Sequence, residues 1–267
     1  MSGFYIPEND LLSLSFLALM SAARVAGFLA GFTLVNFALK RATIIRLAFA
    51  FIVGLPVGIL NSDQIYTVFV EDPLITRLFL PIKELLLGFF IGKIVSFPFY
   101  AFVYAGAVCD MTRGESSNSL SHEGSDTVTT TSLLFYLVFA FNFILLDGMW
   151  KIFQLLYRTY KVWPIETLLP TLRSDSAAVL FVKFEEILLL MVMVCGPLVF
   201  LMLIIEIFFG VAGRVSKRFG LDSWSSVAKN LVFLVCLPLY SLVIGRLAND
   251  EIGGIFSGFK FLHLVFE

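Results

Sequence analysis

Eleven ionised side chains interrupt stretches that are otherwise oily: Arg24, Arg46, Lys83, Glu84, Lys93, Lys183, Glu185, Glu186, Glu206, Lys229 and Arg246. Such groups can catalyse, bind ions or pair with one another. Catalysis or metal binding needs a placed nucleophile, base or ligand set, and the only histidines are His122, in a polar segment, and His263, near the end. HExxH, GxSxG and P-loop patterns are missing. Cys109, Cys195 and Cys236 lie far apart at the edge of or inside apolar runs, without CxxC or Cys/His spacing, so they are expected to be buried thiols acting as small hydrophobes. We expect no catalytic, cofactor-binding or metal-binding residues. The charges must then pair, snorkel to an edge or face protein or water, because a bare one costs about 2.5 to 3.5 kcal/mol at the centre of a membrane helix. Snorkelling suits Lys83, Lys183 and Arg246, which lie near segment ends. Glu206, in LMLIIEIFFG, has no basic residue one turn away on its own helix, which implies a partner on another helix or another chain.

The elements that carry these groups follow from composition. Of 267 residues 59% are apolar and 15% charged, with 30 Phe, 8 Tyr and 3 Trp and a mean hydropathy of +0.93. An ordinary soluble domain is only about 45 to 50% apolar, so lipid or other apolar protein must surround much of the chain. The net charge of -1 carries no basic surplus, which excludes a nucleic-acid binder. Glu8 and Asp10 precede the first apolar run with no Lys or Arg, the wrong sign for a cleavable signal peptide, so the first segment is expected to stay. Six runs are long enough to cross a bilayer: Leu11 to Leu39, Ala42 to Leu60, Leu78 to Val108, Ser132 to Trp150, Ala177 to Ala212 and Val227 to Leu247. Hydrocarbon does not tolerate unpaired backbone groups, so the expected fold class is all-α, one integral membrane unit over 1–267.

Two runs exceed a simple crossing, at roughly 46 and 54 Å if fully helical. Pro98 in the first, which also holds Pro81, and Gly196-Pro197 in the second are the expected helix breaks, with a bend or a helical hairpin at Gly196-Pro197. Gly27-x-x-x-Gly31, Gly54-x-x-x-Gly58 and Gly88-x-x-x-Gly92 set pairs of small residues on single helix faces, which suits close packing within the chain or between chains. Lys40, Arg41 and Arg46 beside the first short loop, against Asp63, Glu71 and Asp72 in the second, favour an outside N-terminus. Alternation from there puts Lys151, Arg158, Lys161 and Arg173 outside, so a plain six-span topology gains no support.

One polar segment, 109–131, separates two very apolar runs, and eleven of the 21 residues from Thr112 to Ser132 are Ser or Thr. It has no core of its own to bury. Its composition suits a solvated surface loop, and equally a mobile element lining an aqueous path.

Lys83-Glu84-Leu-Leu-Leu-Gly88-x-x-x-Gly92, Ser96-x-Pro98-Phe99, Ala105-Gly106 and Asp110-x-x-Arg113-Gly114 together resemble the T subunit of the type III secretion export apparatus, the SctT, SpaR and YscT family related to flagellar FliR. Pro197, Glu206, Arg214 and Lys229 form a second matching block, while Phe32 stands where the family often has Pro. The family's Asp-x-Gln-Arg-Gly appears as Asp110-Met111-Thr112-Arg113-Gly114, and the loop after it lacks the usual Asp-Pro. The resemblance implies helical hairpins packed into a hetero-oligomeric gate of the bacterial inner membrane, within the secretion basal body. Implied partners are R and S subunits, the U (switch) and V (export gate) subunits, membrane lipid, and unfolded secreted proteins in transit. By position, the implied pore plug comprises Asp110, Arg113, Gly114, Glu115, Ser116, Ser117, Asn118, Ser119, His122, Glu123 and Asp126. Arg24, Lys83, Glu84, Lys93, Glu206, Arg214 and Lys229 become subunit-interface charges. The Arg-Gly form points to a virulence-type injectisome. A stand-alone small-molecule transporter is the alternative, since broken helices and intramembrane charges also suit carriers, although no inverted repeat links the halves.

Overall fold

A computed structural model of the chain describes residues 11–39, 42–71, 73–114, 129–165, 167, 176–215 and 224–257. Among them are nine helices and no strand: α1 (Leu11–Gly31), α2 (Thr33–Ala38), α3 (Thr43–Leu60), α4 (Ser62–Glu71), α5 (Leu74–Arg113), α6 (Thr130–Leu145), α7 (Gly148–Val162), α8 (Ser176–Val215) and α9 (Trp224–Ser257). The all-α expectation holds, because every apolar run satisfies its backbone internally as a helix. By length and composition five helices can cross a membrane, or six if the bent α6–α7 pair is one span.

The breaks fall elsewhere than expected. α5 and α8 run for 40 residues each and keep helical conformation at Pro98 and Gly196-Pro197, so no hairpin turn forms at the latter. A proline removes one backbone donor, whereas a full break in an apolar setting would strand several, so the intact helix is the cheaper solution. The observed break lies between α6 and α7, which bend by 74°. Asp147 there has φ 56°, a left-handed conformation that Asp tolerates better than a branched residue, and Gly148 follows it. A second break separates α1 from α2 at Phe32, where the backbone is extended (φ -80°, ψ 116°). Ser96 of α5 repairs it: its Oγ accepts the Thr33 N–H at 2.8 Å while its hydroxyl donates to Gly92 O at 2.7 Å.

The described residues divide into two compact units, one within 1–96 and 152–174, the other within 97–151 and 175–261. In the first unit α1 lies against α3 and α5 with almost nothing between the backbones. A Cβ on Gly27, Gly31, Gly88 or Gly92 would strike the carbonyl oxygen of Leu85, Phe89, Arg24 or Phe28 respectively, and one on Gly54 would strike that of Ser21. The glycine pairs therefore serve contacts within this chain. Met20, Val57, Ile65, Val68, Leu80 and Ile165 fill the core beside them. In the second unit the core is aromatic, with Phe99 against Phe139 (4.7 Å), Phe143 (5.3 Å) and Tyr136 (6.0 Å).

Candidate functional site

Two charged clusters stand out, each inside one unit. In the first unit the close approach of α1 to α5 brings Arg24 and Glu84 together with no exposed side-chain surface on either. Arg24 Nε donates to Glu84 Oε2 at 2.5 Å and Nη2 to Oε1 at 3.0 Å, a bidentate fork. The remaining guanidinium donors reach Thr159 Oγ1 (3.1 Å) and Trp163 O (2.9 Å), and the Tyr160 ring lies 3.9 Å below the guanidinium carbon. Lys83 completes the set: its Nζ is 2.9 Å from Glu84 Oε1 and donates to the carbonyls of Ile165 and Thr167, both at 2.9 Å. Two charge-assisted contacts thus tie α1 to α5 and two tie α5 to the segment after α7, while Arg24 also joins α1 to Thr159 of α7 and to Trp163 just beyond it. Buried charges persist only when paired and hydrogen-bonded, and here the pairing is complete inside the chain. Arg24, Lys83 and Glu84, expected as subunit-interface charges, are bound to one another inside the first unit, and the Lys83 ammonium is held by two carbonyls.

In the second unit a cluster joins the ends of α5 and α6. Gly106, whose Cβ would collide with the Ser132 backbone, lets α6 approach α5 closely enough for Asp110 to reach it. Asp110 Oδ2 accepts the Thr131 N–H at 3.0 Å and Oδ1 accepts the Thr131 hydroxyl at 2.6 Å. A carboxylate at this point answers the unpaired amides of the α6 N-terminus, where Thr129 is the N-cap. Arg113 pairs with Asp110, donates to Thr131 Oγ1 at 2.9 Å and stacks 3.9 Å over the Phe233 ring of α9. Gly114, at φ 84°, then ends α5. The helices thus extend into both ends of the 109–131 segment: Asp110 and Arg113 are buried in the last turn of α5, and Thr130 and Thr131 begin α6. Lys229 of α9 donates to Thr112 O at 3.0 Å and lies 3.7 Å from Glu206 Oε2.

A family model described as bacterial export proteins, family 1, matches residues 13–255, which include every residue of both clusters. The chain belongs to that family. Among relatives of this family-1 export protein is the "Yop proteins translocation protein T" of Yersinia pestis, 28% identical over 181 residues, 67% of this chain and 65% of the relative. The "Surface presentation of antigens protein SpaR" of Shigella flexneri is 25% identical over 168 residues, 62% of this chain and 64% of that protein. The matched regions thus span just under two thirds of the length of these curated relatives.

The other expected site residues of this export protein are scattered. Lys93 is half-buried on α5 with its ammonium 5.6 Å from the Phe89 ring, and Arg214 is exposed in the last turn of α8, where a cation suits the helix dipole. Glu206 finds its cation on another helix of the same chain, yet its side chain stays 66% exposed. Glu115, Ser116, Ser117, Asn118, Ser119, His122, Glu123 and Asp126 lie outside the described residues. Sequence reasoning assigned no role to Thr131, Thr159 or Ser96, although Ser96 lies in one of the quoted motifs. For Thr131 a signal existed, since Thr129-Thr130-Thr131-Ser132 ahead of an apolar run is a helix-start pattern rather than loop.

Proposed function

We propose that this chain is the T subunit of a type III protein secretion system of the virulence type. In this reading it is a structural and gating subunit of the inner-membrane export gate and helps form the channel for unfolded substrates. The observation that carries the reading is the family match over 13–255, with similarity to a protein named for Yop translocation. The physical support is a division of labour among the charges. Arg24, Lys83 and Glu84 of the first unit are consumed internally, whereas α8 and α9 keep broad exposed apolar faces, among them Phe200, Ile204, Phe208, Leu234 and Leu239. Such faces suit burial by R and S subunits, with U and V subunits beyond them and lipid at the outer margin of the basal body. Glu206 and Arg214, exposed on α8, are the charges proposed to set register with those subunits. The polar loop is the proposed plug, held at its rim by the Asp110–Arg113–Thr131 cluster.

Expression with and without R and S subunits, followed by purification in mild detergent, tests the assignment. A stable complex containing all three is expected, and a chain monodisperse alone that ignores the other two overturns it. For the plug, deletion of Ser116 to Ser125 should raise ion leak through assembled complexes, and an unchanged leak removes the plugging role.

A further inference from the structure

The last turn of α5 is gripped from three sides by groups spaced one helical turn apart. From α9, Lys229 holds the Thr112 carbonyl and Phe233 underlies Arg113. From α8, Met202 Sδ lies 3.1 Å from the Thr112 hydroxyl and Glu206 faces Lys229. From α6, Thr131 closes on Asp110. Lys229 is the shared member. Its ammonium is nearly buried and has two claimants: the Thr112 carbonyl, one of the last of α5 and at the negative end of its dipole, and the Glu206 carboxylate. The carbonyl is within hydrogen-bond reach at 3.0 Å and the carboxylate at 3.7 Å is not, so the two acceptors compete for one cation.

Glu206 is also the accessible end of this arrangement. It is 66% exposed among exposed Leu203, Ile207 and Phe208 on a helix apolar enough to cross a membrane. A carboxylate set in such a face is costly against acyl chains and is matched by a cation brought on an equally apolar surface.

We propose that Glu206, Lys229 and the Thr112 carbonyl form a relay: a partner helix carrying Lys or Arg docks on α8 at Glu206, takes the carboxylate from Lys229, and so tightens Lys229 on the end of α5. This rests on the export-gate reading for the existence of a partner, but the relay inside the chain does not. Docking at one face is thereby felt at the turn where α5 closes on α6, through described contacts alone.

Hydrogen exchange by mass spectrometry on the full chain in lipid nanodiscs, alone and assembled with the R and S subunits, tests both halves. The amides to follow are Gly114 N–H, bonded to Met111 O, and Thr131 N–H, bonded to Asp110. In the lone chain Glu206→Gln, which keeps the shape and removes the charge, should slow their exchange about two- to fivefold, the range for one exposed ion pair, and Lys229→Met should speed it. Lys229→Arg, which keeps the charge, should stay near the parent. Exchange that is unchanged or faster in Glu206→Gln overturns the relay. In the assembled complex the partner cation already neutralises Glu206, so the parent and Glu206→Gln should match; a persisting difference overturns docking there. If no complex forms at all, the export-gate reading fails, while the lone-chain comparison still decides the relay.

Discussion

Removing the Glu84 charge should destabilise the chain more than removing the Arg24 charge, although the two are direct partners. Glu84→Gln keeps the side-chain volume and one acceptor oxygen, but leaves the fully buried guanidinium with neutral partners alone, the amide oxygen, Thr159 Oγ1, the Trp163 carbonyl and the Tyr160 ring, and leaves Lys83 without its carboxylate. Breaking a buried pair in this way costs about 3 to 5 kcal/mol, because the surviving charge stays desolvated. Arg24→Met leaves Glu84 in contact with Lys83 at 2.9 Å, so a neutralising cation survives. The loss there is that of unmade hydrogen bonds, about 1 to 3 kcal/mol. Hydrogen bonds between neutral groups on membrane helices average only about 0.6 kcal/mol, so a loss above about 2 kcal/mol marks the effect as one of charge. The double variant Arg24→Met/Glu84→Leu should be more stable than Glu84→Gln alone, since it buries no unpaired ion. The assay is reversible unfolding in mixed micelles followed by tryptophan fluorescence, to which Trp163 contributes a reporter 5.8 Å from the Lys83 ammonium. Equal losses for the two single variants, or a larger loss for Arg24→Met, would refute the claim that Lys83 shares Glu84.

Two further predictions use the same assay. Gly88→Val places a branched side chain against the Arg24 carbonyl and the Phe28 backbone nitrogen, 2.8 Å from a Cβ, so α1 and α5 must separate. Overpacking of this kind costs about 1 to 3 kcal/mol, and a variant as stable as the parent would show that α1 and α5 do not touch there. Thr131→Val keeps the shape but strips Asp110 Oδ1 and Arg113 of the hydroxyl between them, at a cost of about 1 to 3 kcal/mol. Thr131→Ser should retain most of the stability, and equal losses in the two variants would deny the hydroxyl its role.

Much of the architecture is legible in composition and spacing. Each of the six apolar runs contains a helix, because hydrocarbon leaves the backbone no other local way to satisfy itself. The glycine pairs are likewise visible as surfaces built for close approach, and the charges inside the runs as groups that need partners. Breaks were harder to place. Proline is a local signal but it can kink a helix without ending it, so Pro98 and Pro197 stay inside helices, while Asp147-Gly148 in the fourth run is the turn signal that carries the 74° bend.

What the linear chain leaves open is which charge meets which. Periodicity tells which face of a helix a residue occupies, but not which other helix crosses that face or at what height. Arg24 and Glu84 are 60 positions apart, and the carbonyls that hold Lys83 lie 82 and 84 positions away. Only the crossing of α1 over α5, set by four glycines that let the backbones touch, brings the first pair into register. That same crossing decides that Arg24 and Glu84 are consumed inside the chain, while Glu206, though it faces Lys229 of α9, keeps its carboxylate at the surface. Burial and Coulomb energy belong to positions in space, and the sequence reports only positions along a line.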